Sequence, residues 1–421
     1  MKTKKESKHN NKRLIVKFGG ASLSSGELIL KAAKTVADAV RRGSKIVAVV
    51  SATGKSTDNL IELAKGASGG KISTHELDDV LSMGERASAR IFAAALNAQG
   101  IESRYFDPAD SDWPIITNEN FTNADPIIEE CDIRVRRQII PLLDKGIVPV
   151  IPGFIGRSLK AGRITTIGRG GSDATALILA KAVGAKEVVL VTDVQGIMSA
   201  DPKLVKNPRF IDKINVDKLV GLTDAGTKFI HRKALKHKTN SFDIRIVSNA
   251  AGRLDAKGTL IKGSLPELAV KLVEEKPVML ITFIGEGLAE SPKIIPEIAS
   301  QMRSSNIPIL GMTANHDSVI FYSHSTDDKK KLEKLHSVVL HHKETLAMAV
   351  RRNLAFIKVI GVGLEDTPGI IGRVSEPLHK NSINIFGIFT ITSSVLVFVD
   401  WENRKKAITA IEQSLKIREL Q

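Results

Sequence analysis

ITTIGRGGSDATALILAKAVGAKEVVLVTDVQGIMSADP, residues Ile164 to Pro202, packs a glycine-rich turn, a helix, an apolar strand and an acidic turn into fewer than forty positions. Gly170 and Gly171 lack Cβ atoms, so the backbone there can approach a ligand and offer bare amides to it. Ser172 occupies the place of a helix N-cap, and ATALILAKAVGA continues as an Ala/Leu-rich helix closed by Gly184. Free amides, the positive end of the helix dipole and the Arg169 guanidinium converge on this turn, so an anion is expected on it. Taken alone, the turn reads equally as Ser172 and Asp173 capping a core helix. Glu187 to Val191 is a continuously apolar run, as in a parallel sheet covered on both faces. It opens into TDVQG, and because ligands of open α/β sheets bind beyond the carboxyl ends of strands, Thr192 and Asp193 are candidate contacts. A plain turn is the alternative.

Working outward, Leu14 to Phe18 (LIVKF) reads as a buried strand ending in Gly19-Gly20-Ala21-Ser22. Lys17 is the odd residue, since a lysine within an apolar strand is costly unless its amine reaches a partner such as a phosphate. A lysine reaching solvent from an edge strand is the alternative. Glu27 to Arg42 forms an amphipathic helix and Lys45 to Val50 a second buried strand, the β-α-β alternation of a parallel sheet. The loop after it, SATGKSTD, is not a Walker loop, because Val49 stands where that motif needs its first glycine. Thr57 in the loop is a candidate substrate contact. From Leu77 to Ala98 small and apolar residues recur at helical spacing, and Glu85 falls at the edge of that inward stripe. An inward carboxylate calls for a cation, either a substrate ammonium or the neighbouring Arg86 or Arg90. IVPVIPGFIGR is a further strand entering a glycine-containing loop. Lys228, in GLTDAGTKFIHRKAL, would alone be read as a surface charge.

With 421 residues, 43% of them apolar, the chain has material for two or three domains with large cores. Its formal charge is +15, and residues 2 to 13 hold six Lys/Arg against one Glu, a polar tail read as disordered. Aromatic residues are 4% of the chain, which argues against the stacking platforms of single-strand nucleic-acid binders. The lone Cys131 implies no disulfide framework and a reducing, cytoplasmic setting. No apolar run approaches the roughly 18 residues of a membrane span, and no signal-peptide core is present at the N-terminus.

Together KFGGAS, SATGKSTDNLIELA, SMGERASAR, GFIGR, TTIGRGGSDATA, TDVQGIMSADP and GTKFIH occur in the order and spacing of aspartate kinases of the amino acid kinase superfamily, which residues 13 to 263 resemble. The resemblance implies a three-layer α/β/α catalytic domain with a mainly parallel central sheet, following a basic tail at residues 1 to 12. It further implies that Lys17 neutralises the transferring phosphoryl group while Gly19 and Gly20 donate amides to it. Thr57, Glu85, Phe154, Arg169 and Ser172 would hold the amino acid, with Glu85 at its ammonium and Arg169 at a carboxylate. Asp173 would position the reacting groups, and Ser51, Thr192, Asp193, Met198, Lys203 and Lys228 would line the ATP site. The cofactor implied is ATP with Mg²⁺ held mainly by its phosphates, with no protein metal site. The chain departs from the family pattern at Ala21, Met198, Lys203 and Arg232, which points to altered ATP contacts and a raised Michaelis constant.

After a hinge at residues 264 to 276, two β-α-β-β-α units follow, at 277 to 350 and 351 to 421. They are similar to paired, ferredoxin-like α+β ACT domains. Asp366, Pro368 and Gly369, with Asn381, Ile383 and Asn384, fit the family's turn for an amino-acid effector such as lysine or threonine. The matching turn of the first unit, Glu290-Ser291-Pro292-Lys293, lacks the glycine. Gly361-Val362-Gly363 is discounted as a dinucleotide fingerprint, and His336, His341 and His342 are read as facing solvent. A homodimer or higher homo-oligomer through the ACT domains is expected, with neither nucleic acid nor membrane as partner. The activity implied is phosphorylation of the L-aspartate β-carboxylate, the first step toward lysine, threonine and methionine. The alternatives are a kinase for another acid, an amino-acid sensor with a weakened kinase domain, and charge-driven nucleic-acid binding.

Overall fold

The computed structural model describes residues 12–224, 230–291, 293–361, 364, 368–391 and 393–415. The tail at 1–11, Lys228 and Asp366 lie outside them. The chain divides into one compact unit ending at Leu265 and another beginning at Pro266.

The first unit runs β1 (Arg13–Phe18), α1 (Gly26–Arg41), β2 (Lys45–Val50), α2 (Ser56–Ala67), α3 (Thr74–Ala98), β3 (Ser103–Tyr105), β4 (Ile116–Thr117), α4 (Ile128–Gln138), α5 (Ile140–Asp144), β5 (Val148–Pro152), β6 (Ile155–Ser158), β7 (Ile164–Thr166), α6 (Gly171–Val183), β8 (Glu187–Thr192), β9 (Lys213–Asn215), α7 (Val216–Asp224), α8 (Arg232–Leu235), β10 (Asp243–Ser248) and β11 (Thr259–Lys262). Eight strands form a sheet in the order β3-β5-β2-β1-β8-β10-β11-β9, antiparallel only between β10 and β11. From β1 the chain first builds outward through β2 and then restarts on the other side with β8. That reversal opens a crevice beyond the carboxyl ends of β1 and β8, and the register levels those ends, with Phe18 opposite both Val50 and Val191.

Leu14, Val16 and Phe18 pack with α1 and α3 in one core. Side chains alternate along a strand, so Lys17 projects to the opposite face, under α6. Helix α6 is apolar all round, and Leu177, Ile178, Leu179 and Ala180 are all buried. Its C-terminal cap is Gly184, as the sequence implies, with φ +66°. Its N-terminal cap is Gly170 in the left-handed conformation, not Ser172, which lies inside the first turn. The run IVPVIPGFIGR is two strands, β5 and β6, broken where Phe154 takes φ +67°.

The second unit comprises β12 (Ala269–Leu272), β13 (Val278–Gly285), α9 (Ile294–Ser304), β14 (Gly311–Asn315), β15 (Ser318–His324), α10 (Lys329–His341), β16 (Thr345–Ile360), α11 (Ile370–Lys380), β17 (Gly387–Ile391), β18 (Ser394–Asp400) and α12 (Arg404–Ser414). Here the expected division at residue 350 gives way to sharing. Strand β16 pairs β13 along its first half and β18 and β12 along its second, with Asn353 left-handed at the changeover. The stretch read as a hinge carries β12, whose Val270 enters the core formed with α11 and α12. Tyr322 of β15 and Phe398 of β18 stack with centroids 4.6 Å apart. Those strands are three steps apart in the sheet, about 14 Å if it were flat, so the sheet is folded and its two halves face each other. Among the described residues no helix is long and apolar enough to cross a membrane.

Candidate active site

At the carboxyl end of β1 the Lys17 ammonium meets Asp173 Oδ1, at the start of α6, at 2.6 Å. Both side chains are about one-seventh exposed, at 15% and 14%, so the pair is open to a ligand at one side. After β1 the Gly19 amide donates to the Val191 carbonyl (3.2 Å) and the Gly20 carbonyl accepts the Gly54 amide (3.1 Å). A Cβ on Gly20 would lie 2.7 Å from the Ala52 carbonyl, so only glycine lets the two loops close together. Ser51 and Thr57 sit in and after that second loop, half-buried.

Helix α3 approaches the same loop. A Cβ at Gly84 would fall 2.9 Å from that of Ala52. The adjacent Glu85 is 4% exposed, accepts the Ala52 amide, and leaves Oε2 buried without a partner. Burial pushes its carboxyl up to about 7. Arg86 and Arg90, the alternative partners, both turn to Asp107 instead. The buried hydroxyls of Ser56 and Ser88 are also without partners. The molecule therefore holds a buried carboxyl oxygen whose charged form a cation would favour.

The turn before α6 is assembled by long-range contacts. Gly153 admits Ser172, whose Cβ would be 2.7 Å from a Cβ there, and Phe154 lies 3.0 Å from the same construction at Gly171. The Ile167 amide donates to the Phe154 carbonyl at 2.8 Å, while Lys233 donates to the Ile167 carbonyl at 2.6 Å. Arg169 projects from this turn, exposed. Lys17, Gly19, Gly20, Glu85, Phe154, Ser172 and Asp173 are thus linked through shared loops.

The nucleotide candidates are more dispersed. Thr192 hydrogen-bonds its neighbour Asp193 at the end of β8. Met198 bridges Phe210, and Lys203 is exposed. A cavity of about 540 Å³ opens beside them, lined by Gln195, Phe210, Ser248 and Lys257 among others. The Lys257 ammonium lies over the Phe210 ring at 5.3 Å. None of these four was singled out in the sequence: Gln195 lies within the TDVQG turn, and no motif marks Phe210, Ser248 or Lys257. Also missed was Asp78, wholly buried on α3, although its spacing of two helical turns from Glu85 was a usable signal. Its carboxyl is pushed up by burial, against three hydrogen bonds that it accepts.

In the second unit Pro368 and Gly369 are exposed at the start of α11, and Asn384 is exposed. Asn381 caps α11 and donates its side-chain amide to the Pro377 carbonyl. Ile383 is 4% exposed in the apolar core, so its side chain is not available to an effector. His342 does not face solvent as expected. Its Nε2 meets Glu297 at 2.6 Å.

Residues 12–248 match the amino acid kinase family and residues 349–413 match an ACT domain. The aspartokinase of Bacillus sp. strain MGA3 is 30% identical over 419 residues, spanning 96% of this chain and 97% of its own. Aspartokinase 2 of Bacillus subtilis is 28% identical over 414 residues, spanning 96% and 98%. Among solved structures, the aspartate kinase of Synechocystis superposes with a TM-score of 0.73 at 24% identity over 95% of this chain and 69% of that one. Aspartokinase III of E. coli, in complex with aspartate and ADP, gives 0.55 at 24% identity over 96% and 99%. These two show the same fold.

Proposed function

The chain belongs to the aspartokinases of the amino acid kinase family, and we propose that it moves the γ-phosphoryl group of ATP to the L-aspartate β-carboxylate, giving 4-phospho-L-aspartate and ADP. The observation that carries this is the pairing of an ammonium, Lys17, held by Asp173 beneath a glycine-rich turn, with a buried, partnerless carboxylate oxygen at Glu85.

The nucleophile is already an anion, so the step needs charge neutralisation and alignment more than a strong base. A β-carboxylate oxygen attacks the γ-phosphorus, the bond to the β–γ bridging oxygen breaks, and its electron pair leaves on ADP. Lys17 offsets charge on the transferring group, and Asp173 holds that ammonium in place. Glu85 takes the substrate ammonium and Arg169 a carboxylate, which fixes the direction of the amino acid. Thr57, Phe154 and Ser172 frame it. Gly19, Gly20, Ser51, Thr192, Asp193, Met198 and Lys203 line the nucleotide side, and Lys228 is assigned there with them. Mg²⁺ would enter on the nucleotide phosphates and supply further charge neutralisation.

Effector control belongs to the second unit in this reading, with lysine or threonine as the effector, and the ACT match over residues 349–413 supports it. A homodimer through these domains and a cytoplasmic setting complete the reading, as does a place at the head of lysine, threonine and methionine synthesis. The test is ADP release with MgATP and L-aspartate or L-glutamate, with lysine or threonine added in parallel. Release with L-aspartate, suppressed by one additive, supports the proposal, and no release with L-aspartate refutes it.

A further inference from the structure

We infer that Asp78 is a positioning residue that fixes the spacing between the ammonium-binding carboxylate of Glu85 and the turn carrying Arg169, and so tunes the enzyme to the length of aspartate. This rests on the aspartate reading above.

Asp78 and Glu85 are seven residues apart on α3, two helical turns, and share its inward face. Asp78 Oδ2 accepts the amides of Thr122 (2.8 Å) and Thr166 (3.0 Å), and Oδ1 accepts the Thr166 hydroxyl at 2.6 Å. Each tie leads to the turn. Thr166 is the last residue of β7, three positions before Arg169, and its carbonyl accepts the Ala124 amide at 2.9 Å. Thr122 is held at φ +66°, which is rare for a β-branched residue. Its carbonyl and the Asn123 side chain press on Gly168, lying 3.1 and 2.9 Å from where a Cβ would be. Lys233 closes the ring by donating to Asn123 Oδ1 (2.8 Å) and the Ile167 carbonyl (2.6 Å).

All the donors aimed at Asp78 are N–H or O–H groups, and only a carboxylate offers both oxygens as acceptors. One rigid helix thereby carries the group that binds the amino end of the substrate and the group that holds the turn binding its acid end. Glutamate is longer by one methylene, so it is rejected only while that spacing is held.

The test compares wild type with Asp78→Asn, Thr166→Val and Thr166→Ser, measuring KM and kcat for aspartate, glutamate and ATP. Asp78→Asn is expected to raise the aspartate KM by about tenfold or more, to leave the ATP KM within about twofold, and to lower the aspartate-to-glutamate ratio of kcat/KM. Thr166→Val, which removes one tie and guards against misfolding of the first variant, should shift the same ratio less, and Thr166→Ser should restore it. Uniform loss of kcat with both KM values and the ratio unchanged would mean a merely structural role and would overturn the inference. So would variants indistinguishable from wild type. A wild-type protein that makes no product from aspartate would remove the parent reading and this inference with it.

Discussion

A carboxylate that is 4% exposed, with one oxygen lacking a partner, destabilises the fold that holds it. For Glu85 the folded-state value, about 7, lies above the 4.5 of a free side chain. Between those values the folded chain binds more protons than the unfolded one, so stability falls as pH rises through the interval. The accumulated cost above it is on the order of 3 kcal/mol. Glu85→Gln should therefore raise the thermal midpoint at about pH 8 and leave it nearly unchanged at about pH 4, while aspartate kcat/KM falls by roughly 100-fold or more. In the wild type, kcat/KM for aspartate should decline on the acid side of about pH 7, because the charged form that receives an ammonium is lost. Calorimetry and a pH–rate profile check these two outcomes. Lys17→Ala should lower kcat by roughly 100- to 1,000-fold, as removal of one charge-stabilising donor does. At this scale much could be read in advance. A lysine in an apolar strand and a carboxylate on an apolar helix face both violate patterning, and the structure pairs Lys17 with Asp173 and buries Glu85 with one oxygen unpartnered. The diversion of Arg86 and Arg90 to Asp107 was not legible, because it depends on a residue 17 to 21 positions away.

At the scale of elements the helix starts and stops divide in the same way. Gly184 ends α6 in open space, with nothing within 4 Å of an added Cβ. Its role is local and was legible. Gly170 begins α6 because a Cβ there would fall 2.2 Å from that of His231, a contact that spans 61 positions and that no local pattern signals. Gly184→Ala should cost about 1 kcal/mol of stability with kcat/KM unchanged. Gly170→Ala should cost more and also reduce kcat/KM, because the turn bearing Arg169 and Asp173 must shift. Urea unfolding alongside steady-state kinetics separates the two. Strand β12 escaped notice for a related reason. AVKL is only four residues long, and its strand character lies in pairing with Ile357 to Ile360 across the intervening domain.

For the whole molecule, the alternation of apolar strands and helices was enough to anticipate a mainly parallel sheet. The folded sheet of the second unit was beyond reach, since its shared strand and aromatic stack join segments far apart in sequence. A fragment of residues 266–421 should fold cooperatively. One of residues 351–421 should not, because it lacks β12 and Val270 from its core. Circular dichroism melts of the two decide this. The central claim concerns chemistry, and its most direct measurement is to trap the acyl phosphate. With MgATP, L-aspartate and hydroxylamine, the account predicts aspartate β-hydroxamate, identified by mass, with none of the corresponding hydroxamate from L-glutamate or N-acetylglutamate. Hydroxamate from one of those acids and not from aspartate, or from none of the three, would contradict it.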